Sequence, residues 1–140
     1  MEELKDISIH TPEETARIYE TTMLAGEILL ENGAEIFRIE ETMKIISEHY
    51  GEHTGNFYVL RNGIFTTSGE RGGGSYAKVR NIPVKSNQLQ KVSAVNQLSR
   101  EIIEKDRPVE DAFKRLNEIR SMKGKSRIAQ ILADGVGRAC

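Results

Sequence analysis

Cysteine is almost absent: Cys140 is the single one in 140 residues, so neither a disulfide framework nor a thiolate metal site can be built. A reducing compartment is the default. Tryptophan is missing, and three prolines with twelve glycines are too few for a collagen-like or low-complexity chain. No run of ~18 apolar residues occurs, so no stretch of the sequence reads as a membrane span by itself. The opening MEELKDISIH lacks the basic and apolar regions of a secretory signal. The Gly72-Gly73-Gly74-Ser75 run has no Gly-Lys-Ser/Thr ending and precedes a strand-like segment, so it reads as a loop and not as a phosphate cradle. No Gly-x-Ser-x-Gly elbow and no Cys/His dyad are present.

What remains is a chain with 38% hydrophobic and 29% charged residues, enough for one domain or one domain with an appendage. The formal net charge of −1 conceals an asymmetry. Residues 1–70 hold five Lys/Arg against fourteen Asp/Glu, and residues 71–140 hold fifteen against seven. Either the two halves pack together and compensate, or the basic half meets phosphate.

The pattern along the chain is helical, then strand-like, then helical. Thr11-Pro12-Glu13-Glu14 has a capping residue, a proline suited to the first helical position and an acid placed for a capping box. Ala16, Tyr19, Met23, Gly26 and Leu30, widened by Ile18, Ala25 and Leu29, predict a helix touched on two sides and stopped at Asn32-Gly33. Ile36, Ile39, Met43, Ile46 and Tyr50 predict a second helix over about Ala34–Tyr50, antiparallel to the first. Residues 57–61 and 64–67 flank Asn62-Gly63, which predicts a type I′ hairpin with Leu60 facing Phe65 and Val59 facing Thr66. Tyr76–Ile82 reads as a third strand. A helix opening at Ser86-Asn87 buries Leu89, Val92, Val95, Leu98 and Ile102, and another from near Pro108 buries Val109, Ala112, Phe113, Leu116 and Ile119. Ile128, Ile131, Leu132, Val136 and Ala139 begin a further apolar segment. The expected fold is α+β: a three-stranded antiparallel sheet, with two helices before it and two or more after. Residues 1–10 are expected to be a flexible lead-in, 11–124 the domain, and 125–140 a basic flank with the start of a membrane-proximal helix.

Several constellations invite a chemical reading. Glu40 and Glu41 are adjacent carboxylates, but neighbouring helical residues point ~100° apart, so they do not converge as an acid/base pair needs to. Glu40 also has Lys44 four residues on, whereas Arg38 and Glu41 share a face and suit an ion pair. His49 and His53 are separated by Gly51, which breaks the helical metal-binding geometry, so no metal is expected. No cofactor is expected either. Ser93, Asn96 and Arg100 form a polar stripe suited to a neighbouring helix or a carboxylate ligand. Arg120, Lys123, Lys125 and Arg127 occur with no acid from Ile119 to Ala133. They lack the aromatics and the reading element of a nucleic-acid surface, and their place before an apolar segment fits a membrane edge on the cytoplasmic side.

Leu29-Leu30-Glu31-Asn32-Gly33-Ala34-Glu35 followed by Arg38-Ile39-Glu40-Glu41-Thr42-Met43 resembles the opening signature of the threonine/serine exporter family of membrane proteins. Asn62-Gly63-Ile64-Phe65, Leu89-Gln90-Lys91-Val92 and Val95-Asn96-Gln97-Leu98-Ser99-Arg100 resemble its later segments in the same order, covering about Thr22 to Cys140. The resemblance implies a soluble domain attached to transmembrane helices, in one polypeptide or two, and export of threonine and serine driven by the proton gradient. It implies that this chain is the soluble part, cut where the first membrane helix begins, at the cytoplasmic face of the inner membrane. Asp134 and Arg138 depart from a smooth transmembrane start.

By that resemblance the candidate ligand-binding or docking residues are Glu35, Arg38, Glu40, Glu41, Asn96 and Arg100, with Gly33 and Gly63 as structural turns and no catalytic residue assigned. The expected role is an accessory, gating or substrate-sensing domain whose partner is its own transmembrane part or a separate membrane subunit. Threonine or serine is the expected ligand, nucleic acid is not a partner, and a homo-oligomer is left open. The alternative is a hydrolase-like enzyme acting on a small amino-acid derivative, with Glu40 or Glu41 as base; it lacks an activated nucleophile or a metal set.

Overall fold

The computed structural model of the chain describes residues 10–69, 75–82 and 87–123. The expected lead-in before His10, the glycine run at 70–74, the helix opening at Ser86, and the flank and apolar segment from Gly124 onward lie outside these residues.

The first helix, α1 (Pro12–Glu31), starts as its sequence requires. Thr11 Oγ1 accepts a hydrogen bond from the Glu14 N–H at 3.1 Å, and Pro12 occupies the first turn. The Glu14 carboxylate turns back to the His10 ring at 3.2 Å. Every residue from Thr21 to Leu30 is buried, so α1 is surrounded and not merely amphipathic. Its two buried threonines remain satisfied because Thr21 and Thr22 donate to the carbonyls of Arg17 and Ile18, at 2.7 and 2.8 Å. Gly26 has no room for a side chain: a Cβ there would collide with the Met43 thioether and meet Ile64. Asn32 and Gly33 close the helix, Gly33 at φ +82°, with the Ala34 N–H bonded to the Leu29 carbonyl at 3.0 Å.

Helix α2 (Ile36–His49) packs against α1 through Ile39, Met43 and Ile46, each at most 1% exposed. Strands β1 (Gly55–Leu60), β2 (Gly63–Gly69) and β3 (Ser75–Asn81) follow, paired antiparallel in the order β1-β2-β3. Helices α3 (Leu89–Lys105) and α4 (Val109–Ser121) then return to cover α1, and Val95, Leu98, Ile102, Ala112, Leu116 and Ile119 complete the core.

The expected three-stranded sheet needs correction, although the α+β character stands. The sheet that docks on the helices is the two-stranded antiparallel hairpin, β1 lying against α2 and β2 against α1. Strand β3 is held to β2 by backbone pairing and, among the described residues, packs on no helix. The register gives the reason. Phe57, Val59, Ile64 and Thr66 face the helices and are buried. In β3 the register positions beside Ile64 and Thr66 are Arg80 and Lys78, so a third strand cannot extend the apolar layer.

The hairpin register also differs from the expected one. Leu60 lies opposite Gly63, Val59 opposite Ile64 and Tyr58 opposite Phe65, so Arg61-Asn62 make the turn and Gly63 opens β2. Positive φ among the described glycines occurs at Gly33 and Gly51, not at Gly63. Both registers bury the same face. The observed one sets Val59 against Ile64 on the buried side and the Tyr58 and Phe65 rings 6.1 Å apart on the other, whereas the expected one would oppose Ile64 with Arg61.

Candidate functional site

A cleft of about 250 Å³ opens where the turn after α1 meets α3, lined by Leu29, Ala34, Glu35, Arg38, Val92 and Asn96. Gly33 builds it. Its left-handed backbone reverses the chain within two residues, so Glu35 becomes the N-cap of α2, and Arg38 follows one turn on. The Glu35 carbonyl accepts the Ile39 N–H at 3.0 Å, which anchors the first turn of α2. Asn96 reaches the cleft from the opposite wall, on α3. Among the described residues, the side chains of Glu35, Arg38 and Asn96 make no hydrogen bond or ion pair with protein, and the Asn96 carbonyl takes the Ser99 hydroxyl at 2.7 Å.

Three of the six candidates therefore meet in one place: an anion, a cation and an amide over an apolar floor. That combination can bind a small zwitterion bearing a hydroxyl. The other three lie elsewhere. Glu40 and Glu41 line a separate hollow of about 410 Å³ beside β1, together with Lys44 and Tyr58. Glu40 is committed there, its Oε2 accepting the Val59 N–H at 3.0 Å, which occupies one outward backbone donor of an edge strand. No ion pair joins Arg38 to Glu41 among the described residues. Arg100 is exposed and donates to Gln97 Oε1 at 2.8 Å, one turn beyond the cleft.

His10 and His49 tie elements of the fold together, His10 Nε2 lying 2.7 Å from the Tyr50 carbonyl. His49 Nε2 meets Asp106 Oδ1 at 2.9 Å, and no group of metal-ligating side chains occurs among the described residues. Beside it, Tyr50 donates its hydroxyl to the Arg107 carbonyl at 2.8 Å. Burial pushes the Tyr50 phenol up to about 12, helped by the Asp106 carboxylate and opposed by Arg107.

Sequence reasoning did not single out Glu27, which is 3% exposed in the middle of α1. Arg120 approaches it at 3.4 Å and Glu31 at 2.7 Å. The signal was an acid inside Ala25-Gly26-Glu27-Ile28-Leu29, where every neighbour is small or apolar. Arg120, which the sequence groups with the basic flank, is thus an internal tie between α4 and α1.

Among the described residues, no helix is long and apolar enough to cross a membrane. No curated protein and no solved structure matches the chain. Residues 20–140 match the profile of a protein family, ThrE, described as "Putative threonine/serine exporter". That match takes in α1 from Glu20 onward, the other three helices and the whole of the cleft, and by it the chain belongs to the threonine/serine exporter family.

Proposed function

We propose that residues 12–123 form the substrate-sensing and gating head of a proton-coupled amino-acid exporter, placed at the cytoplasmic face and joined to a membrane bundle in the same polypeptide or in a partner subunit. One observation carries this reading. The cleft gathers Arg38, Glu35 and Asn96, whose side chains hold no partner among the described residues, over Leu29, Ala34 and Val92. Arg38 suits the α-carboxylate of threonine or serine, Glu35 the ammonium and Asn96 the hydroxyl, while the apolar floor suits the threonine methyl. The threonine/serine exporter family supplies the substrate class.

Occupancy of the cleft couples to transport if the inward-open and outward-open states hold it differently. A tenfold difference in affinity between them corresponds to about 1.4 kcal/mol of bias. Two outward-facing features support docking on a larger partner: Phe37 is 63% exposed at the start of α2 and Leu60 is 60% exposed at the end of β1.

Two measurements test the reading. Calorimetry with threonine and with serine should show binding that Arg38→Ala abolishes. Export of labelled threonine from cells carrying the full-length protein should fall in Arg38→Ala and persist in Arg100→Ala, whose side chain lies outside the cleft. No heat at millimolar ligand, together with normal export by Arg38→Ala, overturns the proposal.

A further inference from the structure

The hollow of about 410 Å³ between α2 and β1 runs along an open strand edge. β1 is terminal in the order β1-β2-β3, so one side of its backbone has no strand neighbour among the described residues. Two hydrogen bonds fix which residues turn that way. The Ile82 N–H reaches the Asn62 carbonyl at 2.6 Å, so Ile64 and Thr66 bond toward β3 and Phe65 bonds toward β1. Tyr58, opposite Phe65, therefore bonds inward, while Gly55, Phe57 and Val59 turn N–H and C=O outward. The Val59 N–H leaves the sheet for Glu40 Oε2 at 3.0 Å, as that phase requires. Among the described residues nothing takes up the outward groups of Gly55 and Phe57, and both residues line the hollow.

We propose that residues 5–9 of this same chain fill the hollow as a strand antiparallel to β1, with Ile9 opposite Gly55 and Ile7 opposite Phe57. Residues 1–9 lie outside the described residues; the groove, the point where the chain enters the fold and the sequence pattern support the pairing. The described fold begins at His10, whose Nε2 lies 2.7 Å from the Tyr50 carbonyl, and Thr15 donates to Glu52 at 3.1 Å. Both contacts are with the segment that leads into Gly55, so the chain ahead of His10 starts from the Gly55 end of the hollow. Nine extended residues span up to about 30 Å, more than the length of β1. Running back from His10, they pass Gly55 before Val59, which makes the pairing antiparallel.

The alternation of the two segments matches. In β1, Phe57 and Val59 are buried, while Asn56 and Tyr58 are exposed. Directly opposed residues put their side chains on one face, so Ile7 and Ile9 join Phe57 on the helix-facing side, and Asp6 and Ser8 join Tyr58 and Asn56 outside. A shift by one residue would put both isoleucines in water. The same register sets Lys5, the one Lys or Arg among residues 1–9, opposite Val59, whose N–H the Glu40 carboxylate holds. Tethering at His10 gives the segment an effective concentration of roughly millimolar order, which an untethered strand or a second copy must exceed. None of this rests on the proposed function.

Amide hydrogen exchange of the 140-residue chain, read residue by residue by NMR, provides the test. The Phe57 N–H should be protected like that of Tyr58, which the hairpin already holds. Ile7→Pro removes an N–H that faces β1 and should speed Phe57 exchange about tenfold. Ser8→Pro removes one that faces away from β1 and should leave Phe57 protected. Both positions lie outside the described helices and strands, and unchanged protection at Ile28 and Val95 in the core verifies that each variant is folded. Phe57 exchange that is equally fast in the parent and in Ile7→Pro overturns the proposal. So does a loss in Ser8→Pro as large as that in Ile7→Pro, or Phe57 protection that falls on dilution, the mark of a strand supplied by a second copy.

Discussion

Arg120→Ala is the most revealing single perturbation of this fold. Breaking a fully buried ion pair from one side costs about 3–5 kcal/mol, and an exposed pair is worth about 0–1 kcal/mol. The Arg120 tie falls between these limits because the guanidinium side is 41% exposed while Glu27 is 4% and Glu31 13% exposed. Glu27 sits on a helix buried from Thr21 to Leu30, so without its guanidinium it stays held in a poorly solvated place. A loss of about 2 kcal/mol follows, a sizeable share of the ~5–15 kcal/mol that stabilises a typical domain. Urea unfolding gives this number directly, and the melting point should drop by roughly 8 °C for a fold of this size. The second arm is a double-mutant cycle. Glu27→Gln removes the charge that needs Arg120, so Arg120→Ala in that background should cost at least ~1 kcal/mol less than in the parent. Additive effects in the cycle, or an Arg120→Ala protein within ~0.5 kcal/mol of the parent, would refute the claim that this arginine ties α4 to α1.

Three further substitutions probe other joints. Gly33→Ala places a Cβ at φ +82° and against the Asn87 amide, and should cost about 1 kcal/mol or more in urea unfolding. Glu40→Ala removes the acceptor of the Val59 N–H and should lower stability by about 1 kcal/mol, with faster amide exchange at Val59. Tyr50→Phe loses the bond to the Arg107 carbonyl, for about 1 kcal/mol near neutral pH. Its pH behaviour follows from the raised phenol. The unfolded tyrosine ionises near 10 and the folded one near 12, so the folded state holds the extra proton between them. Stability from this group is complete below pH 10 and is lost as pH rises toward 12. Tyr50→Phe should flatten that part of the stability profile, and an unchanged alkaline slope would contradict the assignment.

The helices were readable because their signals are local. Thr11-Pro12 starts α1, Asn32-Gly33 stops it, and the Ile39-Met43-Ile46 spacing marks the face α2 buries; each needs only a few adjacent residues. The hairpin was readable as a hairpin but not in register. Asn62-Gly63 carries a strong local turn preference, yet the turn falls at Arg61-Asn62 because Val59 against Ile64 and Tyr58 against Phe65 are contacts between strands. The number of strands that form the packed layer was illegible for the same reason. Alternation in Tyr76–Ile82 predicts a strand, but only pairing with β2 shows that Lys78 and Arg80 stand in the row of the buried residues.

The site followed the same division between local and long-range information. Glu35 and Arg38 lie three residues apart and their neighbourhood was evident, but their meeting with Asn96 depends on how α3 crosses the end of α1. Glu40 and Glu41 attracted attention as a doublet, and the fold gives Glu40 a backbone donor to hold. The charge asymmetry between the halves was plain, and its two readings differed only in where the cations go. Arg120 settles its own case: it belongs to the basic half and is bound to Glu27 and Glu31 of the acidic one. Arg17 of the acidic half reaches Glu110 of the basic one at 2.9 Å, so charge is exchanged in both directions across the α1–α4 joint. An excess read from sequence alone therefore overstates the field available to an outside partner. What such a partner meets is the remainder after pairing, and the pairs across the α1–α4 joint have already spent cations of both halves on acids of the other.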